Sequence, residues 1–145
     1  MGMASPQPDG SGHPPLPELE LDNRAFWTGG GRGELLISRC AACRRWLHPP
    51  VPVCRYCLST DVISTPAVGT GTVFSFTVNH QPWMPGMAVP FVVAVVELDD
   101  EPGLRLVTRL TGVEPADVRV GLPVRVVFEQ HEDVWLPLFT PREAA

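Results

Sequence analysis

The chain contains no lysine, so all eleven of its basic side chains are arginines. That absence reflects composition and carries little functional meaning, but other absences exclude more. No apolar run approaches the roughly 18 residues that a membrane-crossing helix needs, so no span is expected. The first fifteen residues, MGMASPQPDGSGHPP, lack both the basic start and the apolar centre of a secretory leader. Pro6 stands where a myristoylation signal would need Ser or Thr. Residues 1–16 therefore read as a disordered, Pro-, Gly- and Ser-rich tail on a cytoplasmic protein. Tyrosine occurs once, as Tyr56, inside a cysteine pair, where a structural role is expected.

The 145 residues, 44% of them hydrophobic, allow one modest core and a small satellite module. Net charge is −5 and unevenly spread. From Arg24 to Cys57 six arginines face a single acid, Glu34; after position 60, eleven acids face five arginines. A duplex-binding protein needs a broad basic face. The small basic patch here suits a phosphate group or an acidic protein surface better than a polynucleotide.

Composition divides the rest into three. Residues 17–37 read as a helical lead-in, with Asp22 or Asn23 capping a short helix that carries Phe26 and Trp27, and Gly29, Gly30 and Gly31 ending it. Residues 38–68 form a cysteine module and residues 69–142 a β domain. Five strands are expected in that domain: Thr70–His80, Phe91–Leu98, Leu104–Leu110, Val124–Glu129 and Val134–Phe139. In the first, Thr72, Phe74, Phe76 and Val78 should share one face. Gly69 and Gly71 mark the site of a kink or bulge. A single helical turn at Pro115–Val118 falls between the third and fourth strands. Three strands, a turn of helix and two strands give the order of a five-stranded OB-fold barrel.

Cys40-Ala41-Ala42-Cys43 and Cys54-Arg55-Tyr56-Cys57 are two C-x-x-C pairs, each able to fold as a knuckle aiming two thiolates at one point. Two knuckles make an all-sulfur tetrahedral site, with zinc the common occupant and iron the alternative. Four thiolates leave no open position, so the metal is expected to be structural and to replace a core too small to form unaided. Knuckles of electron carriers usually place Gly after the second cysteine, where Arg44 and Leu58 stand here. Trp46, Leu47, His48 and the run Pro49–Pro52 are expected to pack over the site.

The succession S-R-C-A-A-C, L-H-P-P-V-P-V-C-R-Y-C, G-T-G-T-V-F-S-F-T-V, P-F-V-V-A-V-V-E-L, V-G-L-P-V-R-V-V-F and L-P-L-F-T-P, over about residues 20–142, resembles the zinc-ribbon-containing OB-fold family. That family was long catalogued as a domain of unknown function and is often encoded beside thiolases. The resemblance implies a mostly β protein: short N-terminal helices, a rubredoxin-like four-cysteine zinc ribbon and a C-terminal OB-fold barrel. It also implies an accessory subunit of acyl-CoA chemistry. The partner would be a thiolase-like or lipid-transfer-protein-type enzyme, such as a steroid side-chain aldolase, and acyl-CoA a possible ligand.

Among individual residues, Trp83, Met84 and Met87, in the loop before strand two, and Phe91 at its start are candidates for partner or acyl-CoA contact. The alternative is that Trp83 and Met84 cap the barrel end. Arg105 and Arg109 could reach a CoA phosphate or simply keep a strand face wet. The cysteines are committed to metal, and the spacing of His80 and His131 suggests no dyad with a carboxylate. The run Asp99-Asp100-Glu101 reads as a solvated turn. No catalytic residue is assigned. A single-stranded nucleic-acid-binding OB module remains the alternative function, disfavoured by the acidic barrel.

Overall fold

A computed structural model describes residues 15–143; the expected tail falls outside the described residues except for Pro15 and Leu16. After an extended start comes α1 (Arg24–Thr28), continued by a 3-10 turn over Gly29–Arg32. Asn23 holds the N-cap position of α1, as expected, but its side chain makes no capping bond. Its Oδ1 accepts from the Glu20 N–H at 2.7 Å, so the side chain closes the turn before the helix. The three glycines extend the helical path and do not end it; the chain turns at Gly33, with φ of 72°. Their small size serves packing instead. A Cβ on Gly30 would lie 2.5 Å from Trp135 Cβ and 2.6 Å from the Phe128 ring.

A three-stranded antiparallel sheet follows, in the order β2 (Trp46–Leu47), β1 (Leu36–Cys40), β3 (Val62–Pro66). β1 begins at Leu36, inside the segment expected to be lead-in. The remaining strands are β4 (Thr70–Asn79), β5 (Phe91–Leu98), β6 (Arg105–Leu110), β7 (Pro123–His131) and β8 (Val134–Pro141). They close a barrel in the order β4-β5-β6-β8-β7, with a 3-10 turn at Pro115–Asp117 between β6 and β7. Closure removes free edges and lets such short strands persist.

β5 shows the alternation that closure demands: Val92, Ala94, Val96 and Leu98 are buried, and the residues between them are half-exposed. β4 departs from expectation. A bulge between Val73 and Ser75, not at a glycine, interrupts its register with β5. Val73 points into the core before it. Phe76 and Val78 pair with Ala94 and Val92 on the other side of the register after it, although Phe76 stays 37% exposed. Phe74 therefore leaves the face it was expected to share with Phe76, and it lies exposed under the Arg105 guanidinium at 3.7 Å.

The main core joins the barrel to the lead-in. Phe26, Leu35, Ile37 and Trp46 pack in one cluster with Val73, Val96, Leu106, Val124 and Phe139. Each such buried side chain contributes about 1.5–3 kcal/mol by leaving water. The ribbon has only a small cluster of its own, Cys40, Leu47 and Cys54 with Val51 and Val62. The acidic turn Asp99–Glu101 does join β5 to β6, but its carboxylates are not idle. Asp100 accepts from the Val68 N–H at 3.0 Å, Asp99 from the Thr70 hydroxyl at 2.6 Å, and Glu101 pairs with Arg45 of the ribbon at 3.1 Å.

Candidate metal centre and adjoining cleft

β1 ends at Cys40 and the chain reverses at once, so the Arg44 N–H donates to the Cys40 carbonyl at 2.9 Å. The second knuckle repeats this turn: the Leu58 N–H donates to the Cys54 carbonyl, also at 2.9 Å. Each reversal needs a left-handed residue. Arg44 has φ of 68° and Leu58 of 64°, which explains why glycine suits these positions and means both knuckles carry strain here. The two turns bring the four sulfurs within 4.8 Å of one another. Cys40 Sγ lies 3.5 Å from Cys57 Sγ, and Cys43 Sγ 3.6 Å from Cys54 Sγ. A zinc ion with Zn–S bonds of about 2.3 Å needs sulfurs about 3.8 Å apart, far longer than a disulfide. The donor set fits that ion.

The surroundings favour thiolate at Cys40 and Cys54, whereas the Cys43 and Cys57 thiols are raised. The Cys43 N–H donates to Cys40 Sγ at 3.4 Å and holds that thiol down at about 6. Burial pushes the Cys54 thiol up, but amides of Cys57 and Tyr56 outweigh it and bring the group below its usual range. Leu47 packs against the cysteines as expected. Trp46 and His48 do not: Trp46 joins the main core, and the His48 ring lies 5.1 Å from Phe26. Arg45 covers Tyr56 at 3.8 Å, which gives the lone tyrosine a packing partner at the ribbon surface.

His48 opens onto a cleft of about 740 Å³, a volume typical of ligand sites. Its walls are Phe26 and Trp27 of α1, the His48–Pro50 run, β6 from Arg105 to Arg109, and β8 from Leu136 to Leu138. The cleft exists because β6 and β8 part company. They are parallel and register only at Leu110 and Phe139, where the Thr111 N–H donates to the Phe139 carbonyl. Two residues back, Pro137 has no N–H to offer, and its carbonyl is taken by the buried Thr108 hydroxyl at 2.9 Å. His48 Nδ1 is buried without a hydrogen-bond partner among the described residues. Burial holds the ring at about 4, neutral at physiological pH.

The other singled-out residues fall in two places. Arg105 and Arg109 line the cleft, partnered by Glu97 at 3.2 Å and Glu129 at 3.6 Å. Trp83, Met84 and Met87 lie in the β4–β5 loop and do not line it. Trp83 is 68% exposed and meets Phe91 edge-on at 5.4 Å. The sequence reading missed one pair: His131 Nε2 lies 2.6 Å from Glu129 Oε1. A spacing of two on a strand puts both side chains on one face, and that was the available signal. His80 is exposed.

Family descriptions match both parts of the chain: the ChsH2 rubredoxin-like zinc ribbon domain over residues 27–62 and the ChsH2 C-terminal OB-fold domain over residues 64–129. The chain is 41% identical to a chain of a solved "Ltp2-ChsH2(DUF35) aldolase", covering 98% of that chain and 87% of its own length, with a TM-score of 0.76. It belongs to the ChsH2-type zinc-ribbon and OB-fold family. A ChsH2-type chain is thus a zinc ribbon joined to a five-stranded barrel, as the residue patterns implied. A DUF35-family structure from Sulfolobus solfataricus, 18% identical with a TM-score of 0.58, shares the fold.

Two curated relatives are hydratase subunits. A "Probable enoyl-CoA hydratase alpha subunit" of Thermomonospora curvata is 41% identical over 128 residues. The "3-oxo-4,17-pregnadiene-20-carboxyl-CoA hydratase alpha subunit" of Mycobacterium tuberculosis is 40% identical over 127 residues. Each match covers 88% of this chain but only 40% of the relative. A "DUF35 domain-containing scaffold protein" of Methanocaldococcus jannaschii is 29% identical over 98 residues. Among the described residues no helix is long and apolar enough to cross a membrane.

Proposed function

We infer that this chain is a non-catalytic accessory subunit that binds a thiolase-like or lipid-transfer-protein-type enzyme and helps to position acyl-CoA for it. A steroid side-chain aldolase is the specific partner favoured. The observation that carries the reading is the 41% identity to a chain of the Ltp2-ChsH2(DUF35) aldolase, over nearly all of that chain. Cys40, Cys43, Cys54 and Cys57 hold a zinc ion whose work is to fix the ribbon, since four thiolates leave it no coordination site for substrate. The apolar cleft, with Arg105 and Arg109 at its wall, suits an acyl or CoA moiety in character.

The test is co-expression with a lipid-transfer-protein-type aldolase subunit, followed by size-exclusion chromatography and a retro-aldol assay on a β-hydroxyacyl-CoA. A stable complex with turnover, and no turnover by this chain alone, is expected. Turnover by the isolated chain would overturn the accessory role. The relatives named as hydratase subunits favour a second reading, in which the partner is an enoyl-CoA hydratase; binding to such an enzyme in place of the aldolase would select it. Tight, salt-sensitive binding of single-stranded oligonucleotides would instead favour a nucleic-acid module.

A further inference from the structure

We propose that the cleft between α1, β6 and β8 seats the uncharged, apolar acyl body of an acyl-CoA and keeps the charged nucleotide end outside. The inference rests on the accessory-subunit reading and decides which part of the ligand this chain holds.

The register of the barrel supplies the polar groups. The Leu98 N–H donates to the Leu104 carbonyl at 2.8 Å, so these two residues form a bonded pair. Antiparallel pairs alternate between bonded and non-bonded, and the next bonded ones are Val96 with Leu106, Ala94 with Thr108 and Val92 with Leu110. Arg105, Val107 and Arg109 therefore turn their N–H and C=O away from β5, toward β8. There β8 registers with β6 at Leu110 alone, and its one ladder bond to β6 runs from the Thr111 N–H to the Phe139 carbonyl. The Thr108 hydroxyl reaches the Arg109 carbonyl at 3.3 Å. The Val107 N–H and C=O and the Arg109 N–H have no partner among the described residues, and both residues line the cleft. Such groups call for a bound molecule or water, and they meet a ketone, hydroxyl or thioester without any charge.

The walls around these groups are apolar. Phe26 and Trp27, edge to face with ring centroids 4.7 Å apart, form one side, and Pro50, Leu136 and Leu138 form others. The volume of about 740 Å³ is that of a site for one drug-sized molecule. Apolar walls with a short row of neutral backbone donors and acceptors describe a site for a largely apolar ligand that carries a few oxygen atoms.

Charge decides which end of an acyl-CoA fits. The basic residues of the cleft are Arg105, Arg109 and His48. Each arginine already meets a carboxylate, Glu97 at 3.2 Å and Glu129 at 3.6 Å, and burial keeps His48 neutral. The acids Glu20 and Asp22 line the cleft too, both exposed and neither paired with a cation among the described residues. The lining therefore carries an uncompensated negative charge. A diphosphate and a sugar phosphate would be repelled there, whereas an uncharged acyl body meets no electrostatic penalty.

The test uses the full chain and two probes in equilibrium dialysis: progesterone, an uncharged steroid ketone, and free coenzyme A. Progesterone should bind with an affinity that salt changes by less than about twofold, and coenzyme A about tenfold more weakly or not at all. Val107→Glu places a carboxylate on the cleft wall at a position 67% exposed, so the fold should hold while progesterone affinity falls about tenfold or more. Trp27→Ala removes one aromatic wall, should also weaken binding, and decides the matter if Val107→Glu does not fold. No progesterone binding by the wild-type chain, or unchanged binding by a folded variant, overturns the inference and leaves the accessory role intact. Coenzyme A bound more tightly than progesterone, with an affinity that falls with salt and in Arg105→Gln, would assign the cleft to the nucleotide end and overturn the inference as well. Progesterone binding that Val107→Glu abolishes, beside failure of the wild-type chain to bind the aldolase subunit, would uphold the site and overturn the accessory role.

Discussion

The ribbon and the barrel solve the same problem by different means. The barrel closes on itself, with β6 and β8 meeting at a single register position, and fills its interior with apolar side chains such as Val96, Val124 and Phe139, all fully buried. The ribbon has an open sheet, two left-handed non-glycine residues and little apolar cover beyond Leu47, Val51 and Val62. One region is held by burial, the other by four sulfurs converging on a point. The difference says where each is fragile.

The sharpest way to break the comparison is to remove the metal. In isolated zinc modules about 10 kcal/mol or more of folding free energy goes with the ion. Cys40→Ser, or a strong chelator, should abolish hydrogen-exchange protection at the Arg44 and Leu58 amides, which close the two knuckles. The Val92–Leu98 amides of β5, bonded to neighbouring strands on both sides, should keep theirs. Collapse of both regions together would show that they fold as one unit and that the contrast is false.

The junction sharpens it next. His48 is buried neutral, its folded value near 4 against an ordinary value near 6.5. Well above pH 6.5 neither folded nor unfolded chain protonates it, and the residue makes no pH-dependent contribution to stability. As pH falls from 6.5 towards 4 the unfolded chain takes up the proton first, so stability declines over that window by up to about 1.4 kcal/mol per unit. Between pH 7 and pH 5 the loss from this residue should be about 2 kcal/mol. His48→Phe, which leaves no orphaned nitrogen, should lower the urea midpoint less than wild type does over that interval. Equal slopes for the two proteins would refute the assignment.

Much of this was legible in residue patterns, and the failures share a cause. Strand positions, the barrel order and the two knuckles follow from local alternation and spacing, because each is a property of one segment. The β4 bulge, the path of Trp46 and His48, and the carboxylate ties of Asp99 to Glu101 depend on what other segments bring near. No local pattern states that Pro137 will leave β6 without a donor, although a proline inside a strand hints at it. By its commonest local use the glycine run is a helix stop, whereas its reason lies about a hundred residues away at Phe128 and Trp135.

Gly30→Ala tests that reading. The added methyl meets Trp135 Cβ, which is attached to the backbone and cannot rotate aside, so the lead-in must shift. Overpacking of this kind costs roughly 1–3 kcal/mol. A helix stop would predict the opposite, since alanine favours helix. Thermal unfolding of the variant separates the two: a gain in stability would restore the simpler explanation.

The smallest effect belongs to an ion pair that links the regions. Arg45 and Glu101 meet at 3.1 Å, with the arginine side chain 46% exposed, so water and salt screen the pair. Glu101→Gln should cost less than about 1 kcal/mol in stability. Its position gives it a second readout. Arg45 also stacks on Tyr56 beside the metal, so the pair ties the second knuckle to the β5–β6 turn. If the tie orients the ribbon on the barrel, Glu101→Gln should raise the mobility of the Arg45 and Tyr56 backbone in relaxation measurements while leaving β5 unchanged. Unaltered relaxation at both residues would reduce the contact to a solvated pair and leave orientation to Phe26, Ile37 and Trp46 in the shared core.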